Sequence, residues 1–179
     1  MSFFSKLGGF PRSVRTAVIT LTWFPVVYTF SNHIYQPCQI KGISMSPTFN
    51  PNTSSTTQDV VLVQKFGVKK PGSLSRGDVV MFHSPQDPEK LVTKRIVATQ
   101  GDSIRTHSPP YPRPEARVPR NHLWVEGDNT FHSIDSNTFG PISQGLVTGK
   151  VVAVIWPPSR FGADIIHNGE DDRIQDLLA

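Results

Sequence analysis

The chain has 179 residues, 37% of them hydrophobic, with 16 Pro and 13 Gly, which favours one domain of short strands and many turns over a helical bundle. Its single cysteine, Cys38, excludes an internal disulfide framework and any zinc site built on cysteines. The formal charge is +4 and the pI about 9.4, but the basic residues are scattered without an aromatic–basic ladder, so no nucleic-acid partner is expected.

The two ends differ in sign. No Asp or Glu precedes Asp59, whereas Lys6, Arg12, Arg15 and Lys41 do. Beyond residue 160, Asp164, Glu170, Asp171, Asp172 and Asp176 face only Arg173. A basic, acid-free start suits a mitochondrial address or the retained side of a membrane anchor. Between Arg15 and Lys41 there is no Asp, Glu, Lys or Arg, and residues 17–30 are mainly apolar. A spanning helix needs about 20 such residues. Thr20, Thr22 and Thr29 can bond back to the helix, Pro25 would kink it, and Tyr28 and Tyr35 fit an interface. The expectation is one retained transmembrane helix, with residues 1–36 as the anchor and the helical pattern ending at Pro37. A cleaved presequence is disfavoured because Ser31-Asn32-His33-Ile34-Tyr35 offers a poor cleavage site. A core helix of a soluble domain is the other alternative.

Ser44 follows within ~25 Å of the anchor, at an extended rise of roughly 3.3 Å per residue. Pro47 lacks a donor, so the chain should turn away from a sheet just after Ser44 and leave its hydroxyl and N–H facing a cleft. Asn50 to Gln58 reads as a polar loop. Asp59–Val63 and Val79–Phe82 read as buried strands. Arg76-Gly77-Asp78 has the wording of an integrin ligand, but its position makes it the turn opening the second strand.

Lys94 is the most informative residue. Strand alternation over Val92–Ala98 puts Val92, Lys94, Ile96 and Ala98 on one face and Arg95 on the other. An ammonium on a dry face loses hydration, so its pKa falls. Moving from ~10.4 toward ~7–8 would cost about 4 kcal/mol. The alternative is a strand-edge lysine that snorkels to water.

Ser108–Pro114 is a proline-rich excursion before the strand Leu123–Glu126, and Gly127-Asp128-Asn129 is turn chemistry. Val147–Trp156 reads as a closing strand stopped by Pro157-Pro158. The acidic tail is expected as a loose segment or short helix. The organisation is thus an anchor at 1–36, a β-rich domain at 37–160 and a tail at 161–179.

Four stretches read together carry a family resemblance. They are Ser44-Met45 with Pro47-Thr48, Arg76-Gly77-Asp78-Val79-Val80, Lys94-Arg95-Ile96-Val97 with Gly101-Asp102, and Gly127-Asp128-Asn129 with Ser133, Asp135 and Ser136. In this order they resemble the type I signal peptidases, and Asp135–Ile142 looks most like the mitochondrial inner membrane branch. The resemblance implies a mainly β barrel or sandwich core with one transmembrane helix, and a catalytic face in the intermembrane space. It implies a serine endopeptidase that removes sorting signals from delivered precursors, with Ser44 as nucleophile and Lys94 as general base. Ser133 would aim the lysine, with Asp135 and Arg95 in support. A homologous catalytic subunit as heterodimer partner, a small accessory subunit and membrane lipid are the implied partners, and no metal or cofactor is needed. Two departures stand out. Bacterial members often have a Ser where Gly42 stands, and an Arg where Asn137 stands, so Asp135 needs another partner, with Arg95 as the candidate.

Other mechanisms fit less well. His83 follows a strand in a polar loop, His167 lies in the tail, and Gly101-Asp102-Ser103 lacks the glycines of a trypsin-like site. Gly42-Ile43-Ser44 lacks the second glycine of a nucleophile elbow. A self-cleaving repressor would need a DNA-binding module for which residues 1–41 leave no room. A catalytically silent scaffold subunit and a bacterial-type signal peptidase remain as alternatives.

Overall fold

The computed structural model describes residues 11–51, 58–70, 72–107, 111–165 and 171–175. Lys6, the centre of the polar loop at 52–57, the start of the proline-rich stretch at 108–110, and His167, Glu170 and Asp176 lie outside them.

Helix α1 spans Arg12–His33. Thr20 and Thr22 donate their hydroxyls to the carbonyls of Thr16 and Val18, at 2.9 and 2.7 Å, so the backbone absorbs these polar groups. The helix ends at His33 rather than at Pro37, because the Ile34 N–H bonds to Phe30 and the chain enters a strand at once. No helix among the described residues is long and apolar enough to cross a membrane, so the expected span is not found. With 22 residues α1 has the length, but Arg12, Arg15, four threonines and Ser31-Asn32-His33 dilute its apolar character. Its apolar side chains are nonetheless uncovered: Leu21, Trp23, Phe24 and Val27 are each more than half exposed.

Ten strands follow among the described residues: β1 (Tyr35–Gln39), β2 (Val60–Gln64), β3 (Val79–His83), β4 (Leu91–Ala98), β5 (Ser103–Arg105), β6 (Glu115–Arg117), β7 (His122–Glu126), β8 (Ile142–Ser143), β9 (Val147–Trp156) and β10 (Ile174–Gln175). A short helix α2 (Ser136–Phe139) precedes β8. The main sheet has the order β1-β2-β9-β3-β4-β7-β8, and a small one the order β10-β5-β6. The mainly β expectation holds, but the main sheet stays open among the described residues and forms no closed barrel. Its edges explain this: β1 carries Pro37, tolerated at an edge where no donor is needed, and β8 contributes only two residues.

Both faces of the main sheet are covered. Val79 and Met81 of β3 point into one cluster with Met45, Phe49, Val61, Val63, Val151 and Val154, while Val80 and Phe82 join Ile96, Leu123, Val125 and Val147 on the other. This is why β3 reads as a continuous apolar run rather than an alternating one. The tail is neither loose nor helical where it is described. Ile165 is buried in the first cluster and β10 pairs with β5.

One pairing detail positions the site. β4 runs against β3 along Leu91–Arg95 but against β7 only from Arg95 onward. Among the described residues the Leu91–Lys94 half of β4 therefore has one edge without a strand partner, and that edge borders a cleft.

Candidate active site

The cleft holds about 810 Å³. Gln39 to Met45 form one wall and Leu91 to Lys94 another, with Met81, Ile134 and Phe139 supplying apolar lining. Ser44 and Lys94 thus open onto the same space.

The loop carrying Ser44 is fixed at both ends. Met45 and Phe49 plug it into the core at 2% and 0% exposure. Asn50, whose φ is 51°, donates its side-chain amide to Ile40 O at 2.9 Å and its backbone N–H to Asp59 Oδ2 at 2.9 Å. The Asp59 N–H returns a bond to Asn50 Oδ1, at 2.8 Å, and Arg160 pairs with Asp59 at 3.1 Å. Arg160 also donates to Thr48 O at 2.6 Å. Farther along, the Asn129 N–H donates to Ser44 O, at 3.1 Å, and the Asn129 amide to Ile43 O, at 3.2 Å.

Lys94 is 4% exposed. It lies opposite Val80 in the β3–β4 ladder and shares its face with Val92 and Ile96, as the alternation predicts. Burial lowers its pKa to about 8; Asp135 and Asp128 resist that fall, and Lys90 adds to it. The amine donates to Ser133 Oγ at 2.9 Å. Ser133 has a single hydroxyl proton and gives it to Asp135 Oδ2 at 2.6 Å. Toward Lys94 it is therefore an acceptor only. A neutral Lys94 spends one N–H on Ser133 and retains its lone pair.

Asp135 is held in turn. Its Oδ2 accepts from the Gly127 N–H at 3.1 Å, and its Oδ1 from the backbone N–H of Asn137, at the start of α2, at 3.1 Å. Gly127 is the pivot between the two halves of the site. A Cβ there would fall 2.5 Å from Ser44 O and 2.7 Å from Ser133 Cβ, closer than any real side chain allows. Sequence reasoning took Gly127 for turn chemistry, whereas close approach is what demands glycine here.

Arg95 does not pair with Asp135. It sits on the other face of β4, where Asp128 accepts from its Nε and Nη2 at 2.8 and 2.7 Å. Its remaining donors reach Gly77 O, Ile165 O and Thr48 Oγ1, so it ties the Ser44 loop to three other segments. Gly42, with φ 86° and open space where a Cβ would stand, lines the cleft but brings no hydroxyl. His83 is exposed, bonds to Pro88 O at 2.7 Å and does not line the cleft, which leaves a triad through it without geometry. The Arg76-Gly77-Asp78 turn is internal: Arg76 clasps Asp102 at 2.7 Å and Asp78 pairs with Lys150 at 2.8 Å.

The arrangement is matched by known sequences. Residues 13–110 and 106–156 match the family described as signal peptidase, peptidase S26. The chain belongs to the signal peptidase family. It is accordingly a protease of the type I signal peptidase kind. Its sequence is 48% identical over 167 residues to mitochondrial inner membrane protease subunit 2 of Saccharomyces cerevisiae, covering 93% of this chain and 94% of that one. Mitochondrial inner membrane protease subunit 1 of Schizosaccharomyces pombe is 33% identical over 155 residues, covering 87% and 94%. The higher identity thus falls on the subunit 2 side, and both relatives lie in the mitochondrial inner membrane branch to which Asp135–Ile142 pointed. A crystal structure of a signal peptidase I from Enterococcus faecalis aligns at a TM-score of 0.38 and 22% identity, over 44% of this chain and 96% of that one.

Sequence reasoning missed the Asn50–Asp59–Arg160 clamp and the part played by Arg173, described below. Nothing local announces either, since their partners lie far apart in the chain.

Proposed function

We propose that this signal peptidase works at the mitochondrial inner membrane as a serine endopeptidase, removing sorting signals from precursors delivered to the intermembrane space. Ser44 is the nucleophile and Lys94 the general base. Neutral Lys94 takes the Ser44 proton as Oγ attacks the scissile carbonyl, and then protonates the departing amine. Water deprotonated by Lys94 hydrolyses the acyl-enzyme. The Ser44 N–H is the oxyanion donor supplied by this chain, because Gly42 has no hydroxyl to add. The precursor lies extended along the free edge of Leu91–Lys94, with its small side chains toward Met81, Ile134 and Phe139.

The observation that carries this reading is Lys94: a lysine kept 4% exposed and bonded to a serine, in the cleft that Ser44 lines. The uncovered apolar side chains of α1 support attachment to the membrane; the cleft would then face the intermembrane space, where the precursors are delivered. The relatives named as protease subunits support a complex with a homologous catalytic subunit. The test is the Ser44→Ala chain in mitochondria that lack the native protein. Precursor cleavage should disappear while the variant stays with the membrane fraction at physiological ionic strength. Cleavage at the wild-type rate would remove the nucleophile, and release into the supernatant would remove the membrane attachment.

A further inference from the structure

Behind the Ser133–Asp135 pair lies a second buried carboxylate that the chemistry above does not use. Glu126, at the end of β7, is 5% exposed, as is Asp135. The two share one donor. The side-chain amide of Asn137 donates to Glu126 Oε1 at 3.0 Å and to Asp135 Oδ1 at 3.2 Å. That amide cannot turn over, because its oxygen accepts the His107 N–H at 2.9 Å. Trp124 Nε1 adds a bond to Glu126 Oε1 at 2.8 Å.

Two anions this close and this dry need a cation nearby. It comes from the far end of the chain. Arg173 sets Nη2 on Glu126 Oε2 at 2.8 Å and Nη1 toward Oε1 at 3.3 Å. The guanidinium is itself held by Asp171, at 2.9 Å through Nε, and its Nη1 lies 2.6 Å from His107 Nε2. Its backbone carbonyl accepts the Arg105 N–H, which docks the segment on β5. An unbroken path therefore runs from Arg173 through Glu126, Asn137, Asp135 and Ser133 to the Lys94 amine.

We propose that Arg173 is a positioning residue for the proteolytic reaction, neutralising Glu126 so that Asn137 and Asp135 hold Ser133 as a pure acceptor for Lys94. The inference rests on the reading of Lys94 as the base. It also gives the C-terminal segment a role behind the active site, exerted on Asp135 through Glu126 and the Asn137 amide rather than by direct contact. Arg173 touches neither substrate nor reacting atoms.

The charged groups around Lys94 are Asp135, Asp128 and Lys90. Glu126 faces Arg173, with Asn137 and Trp124 as neutral donors, and Arg173 faces Asp171 and His107 as well. Losing the guanidinium leaves uncompensated negative charge behind Asp135. Negative charge favours the ammonium, so Lys94 becomes neutral only at a higher pH.

The experiment measures kcat and KM against pH for the full chain in detergent-solubilised membranes. The probe is a quenched-fluorescence sorting-signal peptide with alanine before the scissile bond. For Arg173→Met the acid limb should move up by about 0.5–1 pH unit, lowering kcat/KM at neutral pH about three- to tenfold through kcat with KM unchanged. Arg173→Lys keeps the charge without the fork and should move the limb the same way by less. Adding Glu126→Gln to Arg173→Met removes the buried pair and leaves only the more exposed Asp171 without its partner, so the limb should return most of the way to its wild-type place.

A folded Arg173→Met chain with an unmoved limb overturns the proposal, because mere loss of folded protein lowers the amplitude and not the pH of the limb. If the methionine variant does not fold, an unmoved limb for Arg173→Lys overturns it equally. Lys94→Ala is the control. If that chain still cleaves, the reading of Lys94 has failed; if it is dead while the Arg173 variants titrate like wild type, only the present inference has.

Discussion

At the scale of single residues, the arrangement turns on which groups may not be larger or wetter. Lys94 must be dry to lose its proton, and Val92, Ile96 and the opposite Val80 keep it so. Gly127 must lack a side chain, because the Ser44 carbonyl and the Ser133 side chain crowd the space a Cβ would take. Gly127→Ala has no strain of dihedral to suffer, since its φ is not in the left-handed region. What it must do is push the Ser44 loop and Ser133 apart. A misplacement of about 1 Å can cost on the order of a hundredfold in rate. Gly127→Ala should therefore cost about 1–3 kcal/mol of stability, seen as a lowered thermal transition, and its folded fraction should lose about a hundredfold in kcat. Wild-type kcat in this variant would show that the two serines are not held across Gly127.

At the scale of elements, loops are made rigid by ion pairs that local sequence hides. Lys94 was legible because period-two alternation is a local property, and β4 obeys it. Arg95 was legible as pointing the other way, but not as bonding to Asp128, Gly77, Thr48 and Ile165, since those partners come from separate segments. The same holds for Asn50, Asp59 and Arg160, which close the Ser44 loop across the chain. The Arg76–Asp102 clasp joins the turn before β3 to the turn after β4. Burial pushes the Asp102 carboxyl up, but bonds from Arg76 and Thr99 outweigh it and hold the group below its usual 3.8. Because the folded value is the lower one, the clasp stabilises fully above the unfolded pKa and fades as pH falls through the folded one. Asp102→Asn should cost about 1 kcal/mol near neutral pH, allowing for the partly exposed guanidinium. The difference from wild type in denaturant midpoint should shrink in acid below pH about 4. A gap that stays constant into strong acid would contradict the clasp.

At the scale of the molecule, the mainly β class followed from short apolar runs punctuated by Gly and Pro, and the family from four ordered motifs. Closure of the sheet did not follow, because closure depends on whether edge strands meet: Pro37, which marks an edge strand, reads from sequence as a helix stop, and Ile142-Ser143 is too short to read as a strand. The span was over-read at α1 because a stretch free of Asp, Glu, Lys and Arg was counted as apolar, although threonines, Ser31, Asn32 and His33 fill much of it. The tail was under-read for the opposite reason. Its acidic composition looks solvated, yet Ile165 is core and Arg173 reaches a buried carboxylate.

All three scales meet in the protonation of one amine, and its titration is the direct test. Initial rates of cleavage of the same alanine-site peptide, measured from pH about 6 to about 10 for wild type and Lys94→Arg, decide it. Wild-type kcat/KM should rise with pH through about 8, where Lys94 gives up its proton, and Lys94→Arg should be inactive throughout, since a guanidinium cannot become a neutral base. A Lys94→Arg chain that cleaves, or a wild-type rate flat across pH 8, would contradict the account.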